Sequence, residues 1–283
     1  MLYRGPAPFR RAQEARYLQL IDWPARVVAS ISQRVKYVMK QSKASNGSPS
    51  QQRAAPESER DSRLAFLFDL DGTLVDSVYR HVQAWQEAFL KKGLLLSAWR
   101  IHRHVGMSGS MLVRALLRES GRRMSEEEVT RIEELHGEAY GRLVSDVKPL
   151  PGARELLEEL SRLERPWAIV TSSKPEKAEH ALKMLGVGPE AKVVTRGDVT
   201  RAKPEPDPYY VGAQRLGAPI GDCVVVGDSV WDLLSAQRAR ALGVGFLTGG
   251  SGREELERAG AYRVYEDPAD LLRHLDELGV NTE

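Results

Sequence analysis

The sequence predicts an α/β fold in which helices cover both faces of a parallel sheet. Apolar runs at residues 64–68, 167–171 and 222–226 have the length of buried strands. From residue 149 onwards, such runs alternate with segments whose apolar residues have helical spacing. Because strand–helix–strand crossovers have one hand, repeated units place a sheet between two layers of helices. We therefore expect a Rossmann-like core of three layers, α/β/α, with a parallel sheet.

The first predicted strand ends in the segment Asp69–Thr73, which has the sequence Asp-Leu-Asp-Gly-Thr. Side chains alternate along a strand, so Asp69 and Asp71 point to one side while Leu70 points into the core. In open parallel sheets, ligands bind beyond the carboxyl ends of the strands. Two adjacent carboxylates repel each other unless a cation or a shared proton relieves them, and Mg²⁺ is the usual oxygen-bound cation. A helix cap or an Asx turn explains one aspartate at this place, but not two.

Residues 80–148 interrupt the alternation, because they contain helical patterns alone. Helices are expected over about 78–92, 111–118 and 125–144. The last of these begins with a capping box, since Glu128 follows Ser125 by three residues. An insertion of this size predicts an all-helical cap domain. The core then comprises residues 64–79 and 149–283.

After the insertion, strands and helices alternate again. Strands are predicted at 167–171, 192–195, 222–226 and 244–247. Helices are predicted at 153–163, 176–185, 209–216, 231–241, 254–259 and 268–278. The polar residues that follow these strands are the next candidates for a site.

Three further polar signals follow elements of the predicted sheet. Thr171 and Ser172 come after a strand, where hydroxyls and backbone amides can bind phosphate oxygens. Lys203 lies in a loop stiffened by two prolines. Asp228 follows a later strand, and Asp232 lies one helical turn further on. Each signal alone fits a cap, a turn or a surface salt bridge, but together they place four acids, two hydroxyls and a lysine at one sheet edge.

With these motifs, residues 64–280 resemble the haloacid dehalogenase-like (HAD) hydrolase superfamily. The family's first motif, Asp-x-Asp-Gly-Thr, matches Asp69–Thr73, and its second matches Thr171 after a strand. Its third motif matches Lys203, and its fourth matches Gly227–Asp232. All four stand in the family's order.

The segment Asp76–Trp85 is similar to the branch of this family that has a helical cap. That branch includes phosphoglycolate phosphatases and β-phosphoglucomutases. Dehalogenases of the superfamily lack the second aspartate, so Asp71 favours phosphate chemistry. Related mutases have a histidine at the position of His81 that assists the acid/base aspartate, but a polar residue that merely faces the cleft explains His81 equally well. Trp85 is better explained by packing than by substrate contact.

The resemblance implies a phosphatase that acts through an aspartyl-phosphate intermediate. Asp69 would attack phosphorus, and Asp71 would protonate the leaving alkoxide and then deprotonate a water molecule. Mg²⁺ would be held by Asp69, by the main-chain carbonyl of Asp71 and by Asp228.

The other motif residues would bind substrate or support the site. Lys203 and Thr171 would hold the phosphoryl oxygens, with Ser172 beside them. Lys203 would also keep the nucleophile ionised. Asp232 would orient the magnesium site or Lys203 without touching the substrate. His81 completes the set of expected substrate-binding residues.

The segment from residue 101 to 109 contains two glycines and allows two interpretations. It is either a loop that closes over the cleft and contacts the leaving group, or a helix–loop–helix connection without a ligand role. Its candidate contacts are Arg103, His104, Met107 and Ser108.

Two functions other than a phosphatase are consistent with this pattern. A sugar phosphomutase is disfavoured because Thr73 follows Gly72, where mutases usually carry an aliphatic residue. The segment 107–109 also lacks the arginine with which mutases hold a second phosphate. A non-catalytic binding protein, with residues 1–63 as its partner arm, is disfavoured because the acidic and basic motif residues are intact.

Residues 1–63 differ from the remainder, with 12 Lys/Arg against 5 Asp/Glu. Residues 24–41 predict a short amphipathic helix with a basic face, and 42–63 predict a flexible linker. Three interpretations compete: a membrane-surface or partner-binding helix, an organelle-targeting peptide, and sequence upstream of a true start at Met39. We favour a dispensable or disordered extension.

The composition of the whole chain narrows the classes of partner. A net charge of +2 over 283 residues does not indicate a nucleic-acid binder. No apolar stretch approaches the roughly 20 residues of a membrane span. The single cysteine, Cys223, forms no internal disulfide and is expected in the core. We expect a cytoplasmic monomer or homodimer whose partner is a small-molecule phosphate ester.

Overall fold

A computed structural model describes residues 64–281. In this part of the chain, one sheet contains β1 (Ala65–Phe68), β2 (Trp167–Val170), β3 (Lys192–Val194), β4 (Cys223–Gly227), β5 (Leu242–Phe246) and β6 (Ala261–Tyr265). The first helices are α1 (Val78–Lys91), α2 (Ala98–His102), α3 (Gly109–Glu119), α4 (Glu126–Leu143) and α5 (Ala153–Arg162). They are followed by α6 (Pro175–Met184), α7 (Asp207–Leu216), α8 (Val230–Ala239), α9 (Arg253–Arg258) and α10 (Pro268–Arg273).

The strand order β3-β2-β1-β4-β5-β6 places β1 in the middle of the sheet, and every neighbouring pair is parallel. Phe68 is paired with Ile169 of β2 and with Val226 of β4. The three central strands therefore end at the same edge. The direction of winding reverses between β1 and β4, and open α/β sheets bind ligands at such a switch point.

Alternate side chains of β1 enter two different apolar clusters. Phe66 and Phe68 stack with ring centroids 5.9 Å apart, in a cluster shared with α5, α6 and α10. Ala65 and Leu67 lie in the opposite cluster, with side chains of α7 and α8. Cys223 is buried there, as expected for a small apolar residue. Both faces of the sheet are therefore covered by helices, which confirms the predicted three-layer α/β/α core.

Helices α1–α4 come between β1 and β2 in the chain and pack around an apolar cluster of their own. This cluster includes Val82, Trp85, Phe89, Ile101, Leu112, Leu116 and Ile132. The chain leaves and re-enters the core at adjacent points: the amide of Asp76 donates to the carbonyl of Lys148, and that of Leu150 to Leu74, both at 2.9 Å. The predicted insertion, 80–148, ends at this crossing. Its identity as a separate cap domain stays a proposal.

The predicted capping box of α4 is confirmed. The Ser125 hydroxyl accepts from the amide of Glu128 at 3.3 Å, and the Glu128 carboxylate accepts from the amide of Ser125 at 2.9 Å. These contacts satisfy amides that the first helical turn leaves without partners.

Two elements were missing from the prediction, namely β6 and α2. β6 is a half-exposed edge strand with Arg263 at its centre, so its sequence lacks the continuous apolar run of a buried strand. α2 has five residues, too few to show helical periodicity. Gly109, expected in a loop, begins α3. The helix expected at 268–278 is divided into α10 and a 3₁₀ turn.

The predictions for residues 1–63 lie outside the described residues. Among residues 64–281, no helix combines the length and the apolar character that a membrane crossing requires.

Candidate active site

Three buried aspartates converge at the carboxyl edge of the sheet. One oxygen each of Asp69, Asp228 and Asp232 lies within 4.8 Å of the others. Burial raises the pKa of Asp69 to about 7, although the charge of Lys203 lowers it. Burial also raises the pKa of Asp228 well above its usual value, and the neighbouring carboxylates add to the effect. Carboxylates so close together and so poorly solvated fit a bound divalent cation, because the cation removes their repulsion.

The Asp228 carboxylate is held in place by the turn after β1. The Thr73 hydroxyl donates to Asp228 Oδ1 at 2.7 Å, and both residues are buried. Gly72 has φ +90°, and a Cβ there would lie 2.5 Å from Asp228 Oδ2. A Cβ at Gly249 would overlap the same oxygen. Glycine at 72 and 249 therefore leaves the room that this carboxylate occupies.

Lys203 is fully buried and uses its ammonium group on three acceptors. Nζ lies 2.5 Å from Asp69 Oδ1, 2.9 Å from Asp232 Oδ1 and 2.8 Å from the carbonyl of Val170. An ammonium has three N–H donors, so all of them are engaged. The contact with Asp69 favours the ionised form of that carboxylate, as the sequence suggested, whereas a direct bond to substrate would require Lys203 to exchange a partner.

Asp232 is engaged by the protein on both carboxylate oxygens. Oδ1 accepts from Lys203 and, at 3.0 Å, from the Tyr209 hydroxyl. Oδ2 accepts from the amide and the hydroxyl of Ser229, at 3.2 and 2.5 Å. These contacts support the expected role of Asp232 as a residue that orients Lys203.

The Asp71 carboxylate is separate from the three-aspartate cluster. Its Oδ1 lies 2.7 Å from the Ser77 hydroxyl and 3.2 Å from His81 Nε2, and its Oδ2 accepts from the Ser173 hydroxyl at 3.0 Å. Burial would raise the pKa of Asp71, but the charge of His81 and these hydrogen bonds outweigh it and lower the pKa to about 2. The expected metal contact of Asp71 involves its main-chain carbonyl, and this contact stays a prediction.

His81 connects Asp71 to helix α4. Its Nδ1 lies 3.1 Å from His136 Nε2, while its ring stacks on Tyr140 at 4.0 Å between centroids. The His136 ring stacks in turn on Trp85, at 3.8 Å. Burial lowers the pKa of His136 well below its usual value. The histidine pair is therefore fixed by aromatic packing as well as by hydrogen bonds.

Thr171 and Ser172 follow β2 at the rim of the same cleft. The Thr171 hydroxyl accepts from the amide of Ser173 at 3.0 Å. The Ser172 hydroxyl donates to the carbonyl of Gly106 at 3.0 Å and so joins the core to the turn before α3. Their roles in binding phosphate stay predictions.

A narrow cleft with a cavity volume of about 80 Å³ is lined by Asp69 and Asp71. Its walls come from the core and from helices α1, α3 and α4, and its apolar lining includes Trp85, Val105, Met107 and Leu112. Of the four residues considered for contact with a leaving group, Met107 lines this cleft. Arg103 and His104 line a different cavity, where Arg103 forms an ion pair with Glu255. Ser108 is buried at the start of α3.

Several residues that shape the site were not assigned a role from the sequence. Ser77 and Ser173 hold Asp71, His136 holds His81, and Tyr209 holds Asp232. Ser173 could have been found, because it belongs to the polar segment that follows β2. His136 and Tyr209 carry no such local signal, since they lie within helices and reach partners far away in the chain.

Comparisons with known proteins show which protein family this chain is similar to. A family model described as haloacid dehalogenase-like hydrolase matches residues 64–240. Hexitol phosphatase A of Escherichia coli K12 is 37% identical over 175 residues, covering 62% of this chain and 78% of the relative. Phosphoglycolate phosphatase of Yersinia pestis is 30% identical over 213 residues, covering 72% and 90%.

Among solved structures, a hydrolase from Pseudomonas syringae is 48% identical, with a TM-score of 0.74, and the match covers 76% of this chain and 99% of that one. The matched regions contain the sheet edge with Asp69, Lys203 and Asp228 described above. The chain is therefore an enzyme of the hydrolase class, and it belongs to the haloacid dehalogenase-like hydrolase family.

Proposed function

We propose that the protein is a Mg²⁺-dependent phosphatase that hydrolyses a small phosphate monoester through an aspartyl-phosphate intermediate. The observation that carries this proposal is that one cleft contains two carboxylates with different binding partners. Asp69 is bound to a buried lysine, whereas Asp71 is held by two hydroxyls and a histidine. A carboxylate in contact with an ammonium can act as a nucleophile, and a carboxylate that is hydrogen-bonded to a histidine and two hydroxyls can exchange protons. The phosphatase relatives support the same assignment.

In the first half-reaction, an oxygen of Asp69 forms a bond to phosphorus as the bond from phosphorus to the leaving oxygen breaks. Asp71, whose pKa of about 2 leaves it ionised in the free protein, takes up a proton as the ester binds and donates it to the departing alkoxide. In the second, Asp71 takes a proton from water, the water oxygen bonds to phosphorus, and the Asp69 carboxylate is released with inorganic phosphate. Atoms and charge balance over the two steps: the proton that Asp71 supplies leaves with the alcohol, and a proton from water replaces it.

The cation site would consist of the carboxylates of Asp69 and Asp228 with the main-chain carbonyl of Asp71. Mg²⁺ held by these residues would neutralise charge on the phosphoryl group, so that an anionic nucleophile could approach it. Thr73 keeps Asp228 in place for this role. Lys203 keeps Asp69 ionised and aligned, and Thr171 and Ser172 bind phosphoryl oxygens.

Helices α1–α4 act as the cap that covers the cleft and contacts the leaving group. His81 is a positioning residue in this scheme, because it touches Asp71 and is itself held by the insertion. The monomeric or homodimeric state and the cytoplasmic location suggested by the sequence stay predictions.

A phosphate-release assay on a panel of metabolite phosphates tests the proposal. We expect Mg²⁺-dependent release by the wild type and none by Asp69→Asn. Asp276→Asn, which changes an exposed aspartate of the 3₁₀ turn after α10, is the matched control and keeps full activity.

Two outcomes would contradict the proposal. One is substantial turnover by Asp69→Asn. The other is conversion of β-glucose 1-phosphate to an isomer without release of phosphate, which would identify a mutase instead. Absence of activity across the panel would favour a binding protein.

A further inference from the structure

Two oppositely charged side chains face the cleft from different parts of the molecule. Glu133 belongs to helix α4 of the insertion, and Lys177 belongs to helix α6 of the core, and both line the cleft. Among residues 64–281, neither side chain makes a hydrogen bond or an ion-pair contact. Burial lowers the pKa of Lys177, and the charge of Glu133 counteracts this, so the two groups are close enough to interact.

The positions of the two groups follow from two glycines. A Cβ at Gly109 would lie 2.5 Å from Glu133 Oε1, so the carboxylate lies against the first turn of α3. A Cβ at Gly137 would lie 3.1 Å from Lys177 Nζ. Glu133 and Gly137 are four residues apart on α4 and share one face of the helix. The carboxylate and the ammonium therefore lie about one helical turn apart along this face of α4, without a direct contact.

The remaining charged groups of the cleft wall are otherwise accounted for. The Arg196 guanidinium donates to the carbonyl of Val199 at 2.7 Å. Lys174 also lines the cleft and its charge helps to lower the pKa of Lys177, but its side chain is exposed, so solvent screens its charge more than that of the half-buried Lys177. His136 is kept neutral by its burial, which lowers its pKa. Glu133 and Lys177 are thus the charged pair that a bound leaving group would meet.

Few chemical groups satisfy both members of such a pair. A hydroxyl donates a hydrogen bond to a carboxylate and accepts one from an ammonium. A carboxylate on the leaving group would contact Lys177, but it would also bring a like charge next to Glu133. An amine would be repelled by Lys177 in the same way. The apolar side chains of Trp85, Met107 and Leu112 around the pair suit the C–H surface of a carbon chain.

We propose that Glu133 and Lys177 select phosphate esters whose leaving group is uncharged and hydroxylated, namely polyol or sugar phosphates, over esters that carry a carboxylate. This inference rests on the proposed phosphatase function. It makes Glu133 a specificity-determining residue, since its charge discriminates between the two classes of ester.

Three substrates separate this inference from the function on which it rests. Glucitol 6-phosphate is the hydroxylated probe, phosphoglycolate is the carboxylate probe, and p-nitrophenyl phosphate has neither group. We expect the wild type to favour glucitol 6-phosphate over phosphoglycolate by about tenfold or more in kcat/KM, as for one charged hydrogen bond. In Glu133→Gln we expect this ratio to fall about tenfold, mainly through KM, because the like-charge repulsion is gone.

Two controls accompany the variant. Glu134→Gln changes the neighbouring exposed glutamate, which pairs with Arg131 on the surface, and it leaves the ratio unchanged. A thermal unfolding curve of Glu133→Gln, with a Tm within about 2 °C of the wild type, shows that the variant folds.

The inference is overturned if the wild type prefers phosphoglycolate, or if Glu133→Gln leaves the ratio unchanged. It is also overturned if p-nitrophenyl phosphate alone is hydrolysed, an outcome that leaves the phosphatase function intact. If none of the three esters is hydrolysed, the proposed function fails and the inference fails with it.

Discussion

Replacement of Lys203 by methionine tests the electrostatics of the site most simply. The side chain is fully buried, and its ammonium contacts Asp69 at 2.5 Å and Asp232 at 2.9 Å. Methionine fills similar space without the charge. The variant leaves two buried carboxylates without their cation, and removal of one partner from a buried ion pair costs about 3–5 kcal/mol of unfolding free energy. For a domain of this size, the loss corresponds to a fall of about 6–20 °C in Tm.

The assay is urea unfolding of the metal-free protein at pH 7.5 and at pH 5. We expect a larger loss at pH 7.5 than at pH 5, because Asp69, whose pKa is raised by burial to about 7, is ionised more at the higher pH and then lacks its cation. Because the unpaired carboxylates can take up protons in the variant, its stability should approach that of the wild type at pH 5.

Lys183→Met is the matched control, because Lys183 is an exposed lysine paired with Glu179 on the surface. It should leave the unfolding curve unchanged within error. A loss below about 1 kcal/mol for Lys203→Met at pH 7.5, or a loss that grows towards pH 5, would refute the reasoning.

Two further predictions follow from the contacts of the site. Added Mg²⁺ should raise the Tm of the wild type more at pH 8 than at pH 5, and differential scanning calorimetry measures this. Burial raises the pKa of Asp69 to about 7. The protonated Asp69 side chain therefore stabilises the folded state fully below pH 4, and this stabilisation is lost as the pH rises through 7. A cation that binds the ionised carboxylate restores the lost stability at the higher pH. The Mg²⁺-dependent rise in Tm should disappear in Asp228→Asn. A rise in Tm equal to that of the wild type would contradict the proposal that Asp228 is a ligand of the cation. His136→Phe keeps the stacking on Trp85 but removes the hydrogen bond to His81, and should lower kcat by about tenfold with KM unchanged in steady-state assays. If kcat is unchanged, or if the only change is a lower Tm, His136 has a packing role and no role in positioning His81.

The sequence was most informative where a local pattern determines both structure and site. The apolar run of β1 followed by Asp69–Thr73 predicted the central strand and the edge at which the acids lie. Asp228 was predicted in the same way, since it also follows a buried strand. In both cases the strand and the polar residues are adjacent in the chain, so no long-range information was needed.

Contacts between distant segments were beyond this kind of reasoning. The position of Lys203 in a proline-containing loop suggested a fixed side chain, but not that all three of its donors would be used within the protein. The link from His81 to His136 depends on how α1 packs against α4, 55 residues along the chain. The sequence pattern did not predict β6, because Arg263 at its centre interrupts the apolar run. An edge strand tolerates such a charge, whereas a central strand excludes it.

The charge pair at the end of the cleft is a further example. Glu133 lies in a run of acidic residues that, in sequence, is most simply a solvated helix face. Its neighbour Glu134 does lie on that face and pairs with Arg131. The rotation of α4 directs Glu133 into the cleft instead, and that rotation is determined by apolar positions such as Ile132 and Leu135.

The most direct test of the central claim is pre-steady-state release of nitrophenolate from p-nitrophenyl phosphate by Asp71→Asn. Nitrophenolate leaves without a proton, whereas attack by water on the phosphorylated enzyme requires the base that this variant lacks. We predict a burst of one nitrophenolate per active site, followed by slow turnover, with radiolabelled phosphate recovered on the peptide that contains Asp69. A linear release with no labelled peptide, or the same burst in a variant that also carries Asp69→Asn, would contradict the account.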